Sequence, residues 1–84
     1  MNFAFFAVSK EGLALVSRIQ LQFSGELRPL TGIKAALAQS DALVFVMATG
    51  MVMRHMAPYI ESRETRPAVL VIDQKGSYHY LLSV

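Results

Sequence analysis

Three short segments carry the residues of this chain that are best suited to bind a negatively charged ligand. Each follows an apolar run that predicts a β-strand, and they are Ser9-Lys10-Glu11-Gly12, Ala48-Thr49-Gly50 and Asp73. In open α/β sheets, ligands bind beyond the carboxyl ends of the parallel strands, where loops run into helices. The sequence therefore predicts one binding corner to which all three segments contribute.

The second of these segments has the clearest chemistry. Thr49 and Gly50 open an amphipathic helix, whose first turn offers free backbone N–H groups and the positive end of the helix dipole to an anion. Gly50 lets a ligand approach the backbone closely, and Arg54, one turn later, lies opposite the apolar stripe of the helix. In the alternative interpretation, Thr49 only caps the helix, Gly50 only forms a tight turn and Arg54 is solvated. The local sequence leaves both interpretations open.

The remaining polar residues predict no further site. The chain has no glycine-rich nucleotide loop, no nucleophile elbow and no paired zinc histidines on a helix. His55 falls within an apolar stripe, which favours a packed, hydrogen-bonded side chain over a catalytic base. His79 lies between two tyrosines and is expected to pack across strands. Because two isolated histidines without cysteine or clustered carboxylates do not define a metal site, neither a metal nor a cofactor is expected.

The elements that position the corner begin with a βα unit. Residues 2–8 predict a strand buried on both faces, followed by a helix capped by Ser9. The inward stripe of that helix is expected to be Leu13, Leu15, Val16, Ile19 and Phe23. Residues 24–30 predict a loop or a poor edge strand, and Thr31 is the expected N-cap of a short helix that ends at Gln39.

The second half of the chain continues the alternation. Residues 42–47 predict the central strand, and residues 51–60 predict a helix that Pro58 should bend or end. After a polar loop, residues 68–72 and 77–82 predict two strands joined by a tight turn, that is, a β-hairpin. We therefore expect a small, three-layer, flavodoxin-like α/β domain with a mostly parallel sheet of four or five strands and an antiparallel C-terminal edge hairpin.

Composition limits the classes of protein to which the chain can belong. Its 84 residues are 54% hydrophobic, carry a net charge of +2 and include no cysteine, which predicts a single domain without disulfides. The longest uncharged run, residues 42–53, is well short of the roughly 20 residues that span a bilayer. The N-terminus lacks the basic region of a signal peptide, so we expect a cytoplasmic protein without a membrane partner. The basic residues are scattered, which argues against a nucleic-acid partner.

The central block resembles the N-terminal region of the CbiG family. Residues 41–54 read Asp-Ala-Leu-Val-Phe-Val-Met-Ala-Thr-Gly-Met-Val-Met-Arg, and they are followed by Ala57-Pro58 and by Arg-Pro-Ala-Val-Leu-Val-Ile-Asp-Gln-Lys-Gly at residues 66–76. The opening Ala7–Leu13 is similar to the first strand and helix start of that family. The resemblance extends over essentially all 84 residues, and the M-A-T-G-x-x-x-R block is its most specific part.

The resemblance implies a function in cobalamin biosynthesis, within porphyrin metabolism. CbiG enzymes are cobalt-precorrin 5A hydrolases, which open the δ-lactone of a cobalt tetrapyrrole with water and release acetaldehyde. The acetate and propionate groups of such a substrate are expected to bind at the corner, with substrate-binding residues Ser9, Gly12, Thr49, Gly50 and Arg54. Asp73 is the candidate catalytic residue, which would orient or deprotonate water, and it can equally be a turn residue.

The resemblance also sets expectations about partners. The chain ends Leu81-Leu82-Ser83-Val84, with Val84 in the position of a family glycine, and family enzymes continue for several times this length. We expect a domain, a truncated reading frame or a stand-alone descendant that is inactive without the C-terminal portion of the family. The alternative functions are a non-catalytic anion-binding or assembly module and, on fold analogy alone, a phosphate or nucleotide binder. A homodimer is expected, through Tyr78, Tyr80, Leu81, Leu82 and the helix 51–60.

Overall fold

The architecture is an alternation of strands and helices, seen in a computed structural model that describes residues 2–60, 68–72 and 78–81. For residues 60 and 78–81 only the backbone is described. The elements in chain order are β1 (Phe3–Ala7), α1 (Lys10–Ile19), β2 (Gly25–Leu27), a 3₁₀ turn (Leu30–Gly32), α2 (Ile33–Gln39), β3 (Ala42–Val46), α3 (Thr49–Ile60), β4 (Ala68–Ile72) and β5 (Tyr78–Leu81).

One sheet contains all the described strands, in the order β2-β1-β3-β4-β5. The first four are parallel to their neighbours, which confirms the α/β class and the mostly parallel sheet. β5 pairs antiparallel with β4, with Ile72 opposite Tyr78. The turn between these two strands lies outside the described residues, so the hairpin as a whole stays a prediction. The strand order changes direction between β1 and β3, as in doubly wound folds.

Helices cover both faces of the sheet, because its central strands are apolar on both sides. Every residue of β3 is buried. On one face, α2 and α3 pack over a core that includes Phe6 and Phe45, whose rings stack with centroids 4.7 Å apart. On the other face, α1 packs through Val16 against Phe5 and its neighbours. The three-layer arrangement thus follows from strands that have no polar face.

The apolar stripe of α1 differs from the prediction. The helix ends at Ile19, so Phe23 lies beyond it and packs edge-on against Phe3, with ring centroids 5.6 Å apart. Val16 is buried as predicted, with Leu15 and Ile19 packed beside it, whereas Leu13 is 39% exposed and Gly12 is buried in its place. Gly12, without a side chain, occupies the position nearest the sheet, which rotates Leu13 away from the core.

One helix start differs from the prediction. Thr31 was expected to cap α2, but it lies inside the 3₁₀ turn, and Gly32 stands at the cap position without a side-chain hydrogen bond. The helix α3 begins at Thr49, so Thr49 and Gly50 open it as predicted, and it continues past Pro58 to Ile60. Residues 25–27 form the edge strand that the sequence left as one of two alternatives. Within the described part of the chain, none of the helices has the length and apolar character needed to cross a bilayer.

Candidate functional site

The predicted corner lies at the carboxyl edge of the sheet, where the strand order changes direction. Ala7 at the end of β1 is opposite Val46 at the end of β3, and Val46 is opposite Ile72 at the end of β4. Since neighbouring strands are about 4.8 Å apart, the segments that follow these residues start side by side. Ser9 and Thr49 therefore follow the ends of two adjacent strands.

Ser9 forms the first wall of the corner as the N-cap of α1. Its backbone is extended, and its Oγ accepts a hydrogen bond of 2.9 Å from the backbone N–H of Gly12. Its carbonyl oxygen accepts from the N–H of Leu13 at 2.9 Å. The predicted cap is confirmed. Ser9 is half-buried, so the start of α1 lies at the protein surface beside the corner.

Gly12 lies behind this wall rather than on its surface. The residue is buried, and its N–H is taken up by Ser9. A Cβ built on Gly12 would lie 2.8 Å from the carbonyl oxygen of Val46, which brings the first turn of α1 directly against the end of β3. The structure thus gives Gly12 a packing position between the two walls of the corner.

The first turn of α3 forms the second wall. The carbonyl oxygen of Ala48 accepts from the N–H groups of Met51 and Val52 at 3.0 and 3.2 Å. Within residues 2–60, 68–72 and 78–81, the N–H groups of Thr49 and Gly50 donate to no protein acceptor. Both point from the positive end of the helix dipole, where an anion is stabilised. Gly50 is helical rather than part of a tight turn, and a Cβ built on it would meet nothing within 4 Å.

Arg54 extends the second wall along α3. It is exposed, and its position four residues after Gly50 puts it about 6 Å further along the same side of the helix. Among the described residues, its guanidinium has no ion-pair partner. A carboxylate held at the N-terminus of α3 therefore has a cationic side chain within reach, and a guanidinium binds a carboxylate through two parallel hydrogen bonds.

The structure describes the side chain of only one of the three remaining residues that the sequence singled out, His55, Asp73 and His79. Nδ1 of His55 lies 2.9 Å from the carbonyl oxygen of Met51, and the half-buried ring packs within α3, which confirms the prediction of a hydrogen-bonded packing residue. Asp73, the candidate catalytic residue, lies outside the described residues, as does the side chain of His79. No cluster of three histidine or carboxylate side chains is found in the described part of the chain.

An apolar groove that was not predicted lies on the α1 face of the sheet. Its volume is about 320 Å³, and its walls are formed by Phe3, Phe5, Ile19, Phe23, Val44, Leu70 and Ile72. The sequence contains the information needed to expect this groove, because β1, β3 and β4 are apolar on this face and α1 is the one described helix that packs on it. The described residues that line the groove are all apolar, so the groove differs from the corner in its chemistry.

Comparison with known proteins places the chain among cobalamin-synthesis proteins. It is 30% identical over 93 aligned positions to a cobalt-precorrin-5A hydrolase of Salmonella typhimurium, covering 92% of this chain and 26% of the relative. A hydrolase of the same name from Priestia megaterium is 37% identical over 54 positions, covering 64% of this chain and 14% of the relative. This chain thus spans about a quarter or less of these two proteins.

A solved structure shares the fold. The crystal structure, described as a cobalamin biosynthesis protein G homologue from Sulfolobus solfataricus, matches with a TM-score of 0.83 and 22% identity over 98% of this chain and 29% of the other. The family profile named Cobalamin synthesis G N-terminal matches residues 31–83, which include the central strand, α3 and the two strands that follow. The chain belongs to the cobalamin synthesis G N-terminal family.

Proposed function

We propose that this chain is the part of a cobalt-precorrin-5A hydrolase that binds the carboxylates of its substrate. The observation that carries the proposal is the N-terminus of α3, where the N–H groups of Thr49 and Gly50 donate to no acceptor among the described residues and exposed Arg54 follows one turn after Gly50. Family membership supplies the substrate class, since the curated relatives are named for cobalt-precorrin-5A.

The proposed chemistry divides the corner into recognition and reaction. An acetate or propionate group of the tetrapyrrole binds Arg54 through two hydrogen bonds. The lactone carbonyl lies at the N–H groups of Thr49 and Gly50, which stabilise the oxyanion that forms when water adds to the carbonyl carbon. The ring C–O bond then breaks, leaving a carboxylate and a hydroxyl group, and the two-carbon fragment later leaves as acetaldehyde. Asp73 is the proposed residue that orients or deprotonates the water.

Residues 1–84 are proposed to bind the substrate without turning it over. The hydrolases that they match are far longer, with this chain covering only 26% and 14% of them. The remaining portion of such an enzyme is therefore the proposed protein partner, and the proposed location is the cytoplasm. The chain requires no metal or cofactor of its own in this proposal, because the cobalt arrives with the substrate.

Purified chain and cobalt-precorrin 5A test the proposal directly. Calorimetric titration measures binding, and an acetaldehyde assay measures turnover. Binding should be lost in Arg54→Ala and kept in Arg18→Ala, a matched exposed arginine in the last turn of α1, far from the corner. Equal affinity in the two variants would contradict the role of Arg54, and rapid acetaldehyde release by the chain alone would contradict the proposed division of labour.

A second variant separates recognition from catalysis. Asp73→Ala should leave binding of the tetrapyrrole unchanged, since its proposed action is on water. Loss of activity in the full-length relative that carries the corresponding substitution would support the catalytic role. Unchanged activity there would favour a non-catalytic binding or assembly module, which is the alternative function of the corner.

A further inference from the structure

A single glycine joins the two walls of the proposed site. Gly12 belongs to the first turn of α1, and a Cβ built on it would lie 2.8 Å from the carbonyl oxygen of Val46 in β3. The same atom would lie 3.1 Å from Oγ of Ser9 and 3.3 Å from Cβ of Ala7. Real Cβ atoms essentially never approach another atom within 3.0 Å, so any side chain at this position must displace a neighbour.

The neighbour that would have to move is part of the backbone of the site. Only Met47 and Ala48 separate Val46 from the first residue of α3. Met47 is 1% exposed, and its N–H donates to the carbonyl oxygen of Ile72 at 3.1 Å, which ties this segment to β4. Because this hydrogen bond to β4 holds the end of β3 in place, β3 would not yield to a side chain at Gly12. Such a side chain would instead push α1 and its Ser9 cap away from α3.

We infer that Gly12 is the positioning residue of the corner. By letting the first turn of α1 rest directly on the carbonyl of Val46, it fixes the separation between the Ser9 turn and the N–H groups of Thr49 and Gly50. It does not contact the ligand, since it is buried and its own N–H donates to Ser9. The choice of a carboxylate ligand rests on the proposed function, whereas the contact between Gly12 and Val46 is independent of it.

Gly32 provides a matched control for this role. A Cβ built on Gly32 would meet its nearest atom, Cδ of Pro29, at 3.9 Å. Gly32 lies at the start of α2, the helix that follows the edge strand β2. Gly32→Ala therefore makes the same chemical change without pressing on the backbone, and it separates the effect of the contact from that of an added methyl group.

The experiment uses ¹⁵N-labelled chain, its Gly12→Ala and Gly32→Ala variants, and tricarballylate, a small tricarboxylate, as the probe. In the free Gly12→Ala variant, the amide resonances of Ala48, Thr49 and Gly50 should shift, although these residues are distant from residue 12 in sequence. Tricarballylate should bind about tenfold more weakly to this variant. If one wall moves by a fraction of an ångström, the ligand can no longer contact the Ser9 turn and the first turn of α3 in their best geometry at the same time. Gly32→Ala should change neither measurement.

A second variant, in β1, should displace the first turn of α1 in the same way. Ala7→Val adds methyl groups beside the turn that contains Gly12, so it should reproduce the shifts and the weaker binding even where Gly12→Ala fails to fold. Folded variants with unchanged resonances at Ala48–Gly50 and unchanged affinity would overturn the inference.

Titration of the unmodified chain gives an independent test. Both walls should respond to tricarballylate with one common Kd, and a response confined to one wall would also overturn the inference. Absence of any binding would count against the proposed function, while the shifts in the free variants would still decide the role of Gly12.

Discussion

Val46 ends β3 directly opposite Ala7, the last residue of β1. From these two adjacent positions the chain leaves toward opposite faces of the sheet, because α1 packs on one face and α3 on the other. In doubly wound folds, ligands bind in the crevice between two such helix starts. The proposed site therefore depends on two helix N-termini that follow adjacent strand ends.

The cap of α1 should contribute measurably to stability. Ser9→Ala removes the hydrogen bond from the N–H of Gly12 to Oγ, which should lower the free energy of unfolding by about 1 kcal/mol. Urea denaturation followed by circular dichroism measures this change. Ser17→Ala is the control, since Ser17 is exposed inside the same helix and alanine favours helix formation. Equal losses in the two variants would show that the cap has no special contribution.

Gly50→Ala should separate stability from binding. Gly50 is helical with open space around it, so alanine should raise the free energy of unfolding by about 0.5 kcal/mol. The same methyl group would stand between a ligand and the N–H groups of the first turn, so affinity for tricarballylate should fall several-fold. Thermal unfolding and titration of one sample measure both effects. A more stable variant with unchanged affinity would place the ligand elsewhere.

Part of this architecture follows from local sequence. The uninterrupted apolar run 42–47 predicted the buried central strand, which ends at Val46, and Ser9 predicted the start of α1, because strand burial and helix capping depend on few residues. The helix start at Thr31 was wrong because a 3₁₀ turn competes with the cap there. Leu13 was placed in the core because helical spacing alone does not reveal that Gly12 takes the closest position to the sheet.

The contacts that shape the site are of another kind. The approach of Gly12 to the carbonyl of Val46 joins residues 34 positions apart in the sequence, and no local pattern reports such a contact. The groove lined by Phe3 and Phe23 likewise depends on how many helices cover each face of the sheet. Local chemistry therefore predicted the two helix starts, at Ser9 and at Thr49, whereas tertiary packing determines the distance between them.

The stacked rings of the core give a prediction about overall stability. Phe45→Ala removes a fully buried ring that stacks on Phe6, and it should lower the free energy of unfolding by about 3–5 kcal/mol. A domain of this size has only about 5–8 kcal/mol in total, so the variant should be partly unfolded at 37 °C. Phe23→Ala is the control, because Phe23 is 49% exposed and its loss should cost about 1 kcal/mol or less. Chemical denaturation with a shared baseline compares the two variants.

Self-association remains a prediction from the apolar excess of the composition, and two surfaces compete for it. The sequence pointed to β5 and α3, and among the described side chains of α3 only Met53, at 43%, is a strongly exposed large apolar residue. The structure adds Leu21, Phe23 and Leu27 near the opposite edge of the sheet, exposed by 86%, 49% and 46%. Light scattering across a dilution series should give twice the monomer mass of 9.3 kDa at high concentration. If two copies pair through the β2 edge, Leu21→Lys should restore the monomer. If they pair through the β5 edge, Tyr80→Lys should restore it. A constant mass of 9.3 kDa for the unmodified chain would contradict dimerisation through either edge.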